Sequence, residues 1–281
     1  MLNSELPEFM TSPDAQSPLV RLCAVSYLNT LPLVWGIMHG DQKPLFDLEF
    51  RLPAGCADAL ASKQADIGLV PVAEIDRLGL TPIDGTGIAC DGPVRSILLI
   101  SKVEPFRIRS LATDNSSRTS VMLARIILRD RYGVTPQLMS LRPHLTSMLA
   151  HADAALIIGD PALQLEPATL PFHVLDLGEE WKSMTGLPMV FAVWAGHDSR
   201  QNEATGSALE ASRDFGLQEL KRIASEGART RGITPELAYH YLSMNIKFKL
   251  DDNFHQGLAS FRQLVRELRA SESQMEEREI A

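Results

Sequence analysis

The sequence predicts an α/β protein, with two lobes as the first expectation and one large domain as the alternative, and three observations carry this. Short apolar runs of strand length alternate with helical stretches along most of the chain, the pattern of mainly parallel sheets flanked by helices. The pattern resets once, near Lys102, and turns mostly helical after Trp194. At 281 residues the chain is long enough for two compact units, each with its own core.

The elements follow in order. Val20–Val25 is the first apolar run and reads as a strand. A polar turn at 26–30 leads into a helix at Leu31–His39, with Pro32 in the first turn, where the missing N–H is tolerated. Phe46, Leu48, Phe50 and Leu52 alternate, the period of a strand. A helix at 54–64 precedes a short strand at 66–70 that runs into Pro71, and 83–90 and 95–101 are strand-like. After the reset come a strand at Ser110–Thr113, a polar loop at 114–117 and a helix to about Arg131, stopped by Gly133. Strand-like pieces at 136–140, Ala154–Ile158, 174–177 and 190–194 have short helices between them at 144–150, 161–165 and 179–184. Then 202–226, 235–244 and 255–269 read as helices and 245–250 as a short strand. Residues 1–18 read as a flexible tail and the last ten, rich in Glu, as frayed.

Composition narrows the function. Apolar residues make up 45% and charged residues 22%, a globular balance. The 27 Lys and Arg against 35 Asp and Glu leave a net charge of −8, which argues against nucleic acid as a partner. An anionic ligand would have to be met by local positive groups or helix N-termini. Cys23, Cys56 and Cys90 form no C-x-x-C pair, and their odd number argues against a disulfide framework and for a reducing compartment. Glu5, Glu8 and Asp14 precede the first basic residue, Arg21, unlike a signal peptide, and no apolar run approaches about 18 residues. The expectation is a cytoplasmic protein with no membrane partner.

Several chemistries lack their patterns. The seven histidines include no helical i, i+4 pair and are not joined by cysteine, so no metal is expected. G-x-S-x-G and the phosphate-binding loop are absent, and Gly85-Thr86-Gly87 is followed by Cys90 where a dinucleotide fingerprint needs a third glycine.

Ligand sites in α/β sheets sit beyond the carboxyl ends of strands, which points to the loops at 26–30, 68–71, 114–120 and 159–160. In Ser26-Tyr27-Leu28-Asn29-Thr30, Asn29 or Thr30 either caps the following helix or faces a ligand together with free N–H groups. In Asp114-Asn115-Ser116-Ser117-Arg118-Thr119-Ser120, four hydroxyls and a guanidinium exceed what a helix cap needs and suit a carboxylate. Val70-Pro71 and Gly159-Asp160 end apolar strands: Pro71 and Gly159 read as turn formers and Asp160 as a helix cap. Nothing local elevates Ser96, in Arg95-Ser96-Ile97.

Taken together, AVSYLNTLPLVWGI at 24–37, ADIGLVPVAEI at 65–75, DNSSRTSVMLARIIL at 114–128, DAALIIGDPAL at 153–163 and DLGEEWKSMTGLPMVFAVWAG at 176–196 resemble the chorismate dehydratases of the futalosine route to menaquinone. The resemblance implies a type II periplasmic-binding-protein-like fold: lobe one at 19–101 plus 196–281, lobe two at 102–195, and a ligand cleft between them. It implies that chorismate loses water to give 3-(1-carboxyvinyloxy)benzoate, with no cofactor because the product ring is aromatic. Asn29 and Ser96 are the implied catalytic residues. Ser26, Tyr27, Val70, Pro71, Ser117, Arg118, Thr119, Ser120, Gly159 and Asp160 are the implied substrate contacts. The proton acceptor is either the substrate's enolpyruvyl carboxylate or Asp160; the oligomeric state is open. Ile75 and Met189 depart from the family pattern, where Tyr and an aromatic residue are expected, and so are expected to reshape the pocket wall. The alternatives are the later lyase of the same pathway and fold, which forms 1,4-dihydroxy-6-naphthoate, and an intracellular solute-binding protein.

Overall fold

The computed structural model describes residues 19–114, 117–197 and 203–280. The expected tail at 1–18, together with Asn115 and Ser116, lies outside the described residues.

One sheet forms around β1 (Val20–Val25), which pairs in parallel with β2 (Phe46–Arg51) and β3 (Ile67–Pro71). The connecting helices are α1 (Leu31–His39) and α2 (Pro53–Ala61), both begun by a proline in the first turn. A single helical turn, α3 (Ile75–Leu78), leads to β4 (Thr81–Cys90). A second sheet contains β5 (Ile97–Ser101), β6 (Ser110–Thr113), β7 (Gln137–Ser140), β8 (Ala154–Ile158) and β9 (His173–Asp176), in the order β7-β6-β8-β5-β9. Its helices are α4 (Arg118–Asp130), α5 (Leu145–His151), α6 (Asp160–Leu163) and α7 (Leu177–Thr185). Every residue of β5 is buried: Ile97 and Leu99 face the larger core, whereas Leu98 and Ile100 face a separate core with Met148 and Leu149. That alternation explains why β5 reads as a continuous apolar run.

The chain then returns. β10 (Met189–Gly196) inserts antiparallel between β3 and β4, and β11 (Lys247–Lys249) adds to the β4 edge, giving the order β11-β4-β10-β3-β1-β2. Between them run α8 (Glu203–Gln218), α9 (Leu220–Arg231) and α10 (Pro235–His240), followed by a π-helical turn at Tyr241–Asn245; α11 (Asp252–Ile280) closes the chain. α8 lies tight on α1, where a Cβ on Gly216 would meet the Pro32 carbonyl oxygen at 2.0 Å. The buried Ser212 hydroxyl locks the pair, donating to the Leu33 carbonyl at 2.8 Å and accepting from the Ile37 N–H at 3.1 Å.

Four features differ from the sequence expectation. The sheets are mixed, not mainly parallel, because β5 and β10, the strands on which the chain passes from one sheet to the other, run antiparallel to the neighbours they join. β5, drawn in lobe one, pairs in the second sheet, and residues 189–195, drawn in lobe two, pair in the first; periodicity encodes burial, not the pairing partner. The expected helix at 202–226 is two helices broken at Glu219. The last residues continue α11 to Ile280 instead of fraying. No helix among the described residues is long and apolar enough to cross a membrane.

Candidate functional site

A pocket opens between the two sheets and is lined from both. One wall comes from the first sheet and its loops: Val25, Tyr27, Asn29, Pro53, Pro71, Ile88, Phe191 and Ala192. The other comes from the second: Ser96, Ile97, Ser117, Thr119, Ser120, Ile158 and Gly159, with Val94 at the crossing. Among the described residues no lysine or arginine lines it.

Asn29 sits in a 3-10 turn, Leu28–Thr30, that carries β1 into α1, and no side chain there caps the helix. Its amide instead donates to the Tyr241 hydroxyl at 2.9 Å, and that hydroxyl donates to Ser96 Oγ at 2.8 Å. All three residues are buried. Burial holds the Tyr241 phenol well above its ordinary value, against smaller opposing effects of its bonds to Ser96 and Asn29, so it stays protonated. Asn29 Oδ1 is buried without a partner among the described residues.

Ser96 is placed by a built turn. Arg95 adopts a left-handed φ of 65°. Asp176 secures that backbone, accepting from the N–H groups of Val94 at 2.9 Å and Arg95 at 2.6 Å while also capping α7. The Arg95 guanidinium turns away from the pocket and donates to the carbonyls of Ala162 and Leu165.

α4 starts at the pocket with Ser117 as its N-cap, and the Ser117 side chain makes no capping bond. The N–H groups of its first turn therefore have no preceding helical carbonyl to meet. Ser117, Thr119 and Ser120 line the pocket, but the Thr119 hydroxyl is already committed, accepting from Ala73 N–H at 3.3 Å and donating to the Phe191 carbonyl at 3.1 Å. Arg118 leaves the site: it pairs with Glu74 at 2.7 Å and Asp58 at 3.0 Å. Asp160 does not line the pocket either; it accepts from Leu28 N–H at 2.9 Å and Arg231 Nε at 2.6 Å. Burial pushes the Asp160 carboxyl up, and the Leu28 N–H and Arg231 pull it back.

The remaining expected contacts divide similarly. Tyr27, Pro71 and Gly159 face the pocket; Ser26 is exposed and Val70 is buried within β3. Gly159 has a φ of 64°, and a Cβ there would meet the Tyr27 ring at 2.7 Å, so the tyrosine closes directly over the glycine backbone. Ile75 and Met189 are buried and do not line the pocket, contrary to expectation. Tyr241 had no signal in the sequence: no motif surrounds it, and its partners lie far away along the chain. Among the described residues no cluster of three or more His, Cys, Asp or Glu is placed to hold a metal ion.

Comparison with known proteins adds a family and a fold. A family model described as menaquinone biosynthesis matches residues 20–267. A chorismate dehydratase from Thermus thermophilus is 31% identical over 255 residues, covering 84% of this chain and 91% of its own. A crystal structure of a protein from Archaeoglobus fulgidus superposes with a TM-score of 0.73 at 14% identity, covering 89% of this chain and 98% of that one. The periplasmic aliphatic sulphonate binding protein of Escherichia coli superposes with a TM-score of 0.63 at 14% identity, covering 90% and 89%. The architecture is thus the periplasmic-binding-protein fold, two α/β lobes around a cleft.

Proposed function

The chain belongs to the menaquinone biosynthesis family, and from that premise we propose that it is a chorismate dehydratase, a hydro-lyase that converts chorismate to 3-(1-carboxyvinyloxy)benzoate and water. The observation that carries this reading is the pairing of Asn29 and Ser96, from opposite walls of one pocket, through a single buried phenol. They are the two residues that the resemblance implies are catalytic.

The reaction breaks the C–H bond on the ring carbon that bears the enolpyruvyl ether and the C–OH bond beside it. The ring becomes aromatic, so the change is downhill and involves no net oxidation. A proton must leave carbon, and a hydroxyl must leave with a proton as water. The enolpyruvyl carboxylate of the substrate is the acceptor in this reading, because both oxygens of Asp160 are engaged by Leu28 and Arg231. The N–H groups at the start of α4, which have no preceding helical carbonyl, and the Ser120 hydroxyl suit a substrate carboxylate without a formal cation. Apolar walls from Val25, Ile88, Ile158 and Phe191 exclude water and strengthen these bonds. By sheet membership the lobes are drawn at 19–94 plus 189–280 and at 95–188, with Ser96 next to the first crossing.

The test is incubation with chorismate, without added metal or nucleotide, followed by mass spectrometry. A product lighter by one water supports the reading. Chorismate returned intact from a stable complex would make the protein a binder.

A further inference from the structure

We infer that Tyr241 is a positioning residue that fixes which way Asn29 and Ser96 present their hydrogen-bonding groups to the substrate. The inference rests on the reading of the pocket as the site of chorismate dehydration.

A phenol carries one proton. Here that proton goes to Ser96 Oγ, and the phenol oxygen receives the Asn29 amide N–H. Two consequences follow from the bond directions. Ser96 already accepts, so its own proton cannot point back at Tyr241 and is available to the pocket that the residue lines. Asn29 has its NH2 end anchored, so Oδ1 is turned away from Tyr241, and it is the buried acceptor without a partner. Tyr241 thereby makes Asn29 an acceptor and Ser96 a donor. Without the phenol proton and oxygen, the amide could flip and the hydroxyl could rotate.

This polarity selects the substrate group. A carboxylate only accepts hydrogen bonds, so neither carboxylate of the dianion can satisfy Asn29 Oδ1. The hydroxyl that leaves is the substrate's donor, and its oxygen can accept from Ser96 at the same time. As the C–O bond breaks, negative charge grows on that oxygen and the Ser96 bond strengthens, which is where a fixed donor lowers a barrier. The departing oxygen takes the proton that the enolpyruvyl carboxylate removed from carbon, and water leaves. Tyr241 stays protonated throughout: its burial disfavours the phenolate, so it directs the bonds without supplying a proton.

The test is Tyr241→Phe, which removes the hydroxyl and keeps the ring. kcat should fall at least tenfold, with KM and the chorismate Kd within about threefold of wild type. Combined with Ser96→Ala, the Phe change should cost clearly less than it does alone, because one arm of the array is already gone. A wild-type kcat in Tyr241→Phe, a pure KM effect, or losses that multiply fully in the double variant would each overturn the inference. If the single variant does not fold, Asn29→Ala/Tyr241→Phe, which buries no orphaned amide, is compared with Asn29→Ala. A further drop in kcat supports the inference and an unchanged kcat overturns it. Wild-type protein that fails to dehydrate chorismate overturns the functional reading itself, a separate outcome.

Discussion

Replacing Asp160 by Asn removes a charge from the seam between the lobes and leaves the shape unchanged. Asp160 follows β8 in the second sheet, whereas its partners Leu28 and Arg231 belong to the first lobe. An Asn can keep the 2.9 Å bond from Leu28 N–H but sets an NH2 or a weaker neutral acceptor against Arg231 Nε. Breaking a fully buried ion pair costs about 3–5 kcal/mol. Here the side chains are 16% and 15% exposed, and Arg231 keeps the Gly227 carbonyl, Thr230 Oγ1 and the Ser26 carbonyl as acceptors. The loss is therefore nearer ~2 kcal/mol, a fall in melting temperature of roughly 4–8 °C at about 2–4 °C per kcal/mol. Looser closure should raise KM, and kcat should stay within about fivefold, since the substrate supplies its own base. Calorimetry, a denaturation curve and steady-state turnover read all three. A variant that is folded and binds chorismate like wild type but does not turn it over would make Asp160 the base and refute the substrate-assisted route. An unchanged melting temperature would refute the latch.

Ser120→Ala should weaken chorismate binding by about 1.5–3 kcal/mol, the value of one bond to a charged group. Thr119→Ala should instead lower thermal stability, because its hydroxyl already joins Ala73 to Phe191; equal effects of the two on Kd, measured by calorimetry, would contradict this division. With no lysine or arginine among the described residues of the pocket wall, Kd for the dianion should change less than about threefold between low and high salt, whereas a site built on ion pairs would be screened. Asp153 is held below the ordinary aspartate value mainly by the Arg109 N–H, aided by Ser110, so the unfolded chain takes up its proton first as pH falls. Its contribution is fully present above about pH 4 and is lost as pH falls through the lower folded value, and Asp153→Ala should flatten that part of the stability–pH curve.

What the sequence reveals about this molecule is local. β1, β8, α1 and most of α4 carry their period in a few adjacent residues, and the rule that ligands gather beyond strand ends leads directly to Asn29, Pro71, Ser120 and Gly159. The same loops also carry the bonds that hold the lobes together, using the same residue types. Arg118 and Asp160 were therefore indistinguishable from ligand contacts until their partners Glu74, Asp58, Leu28 and Arg231 were in view. Ser96 was legible only through family resemblance, because the turn that exposes it depends on Asp176, far along the chain. Tyr241 was not legible at all: its role is created by folding two distant segments against one phenol.

The π-helical turn at Tyr241–Asn245 makes the site a matter of phase. A π turn holds one residue more than the α-helix it interrupts, so the segment behaves as an α-helix with a single inserted residue. On one side the extra residue sets the azimuth of Tyr241. On the other it sets which residue of β11 points inward, where Phe248 is buried between the more exposed Lys247 and Lys249. Loss of one residue anywhere in the turn would move one of these by about 100° of helical rotation, or flip the other to the opposite face of the sheet. Helix and strand cannot both keep their present alignment at a shorter length. This segment should therefore accept substitutions at its exposed positions far more readily than any change in length.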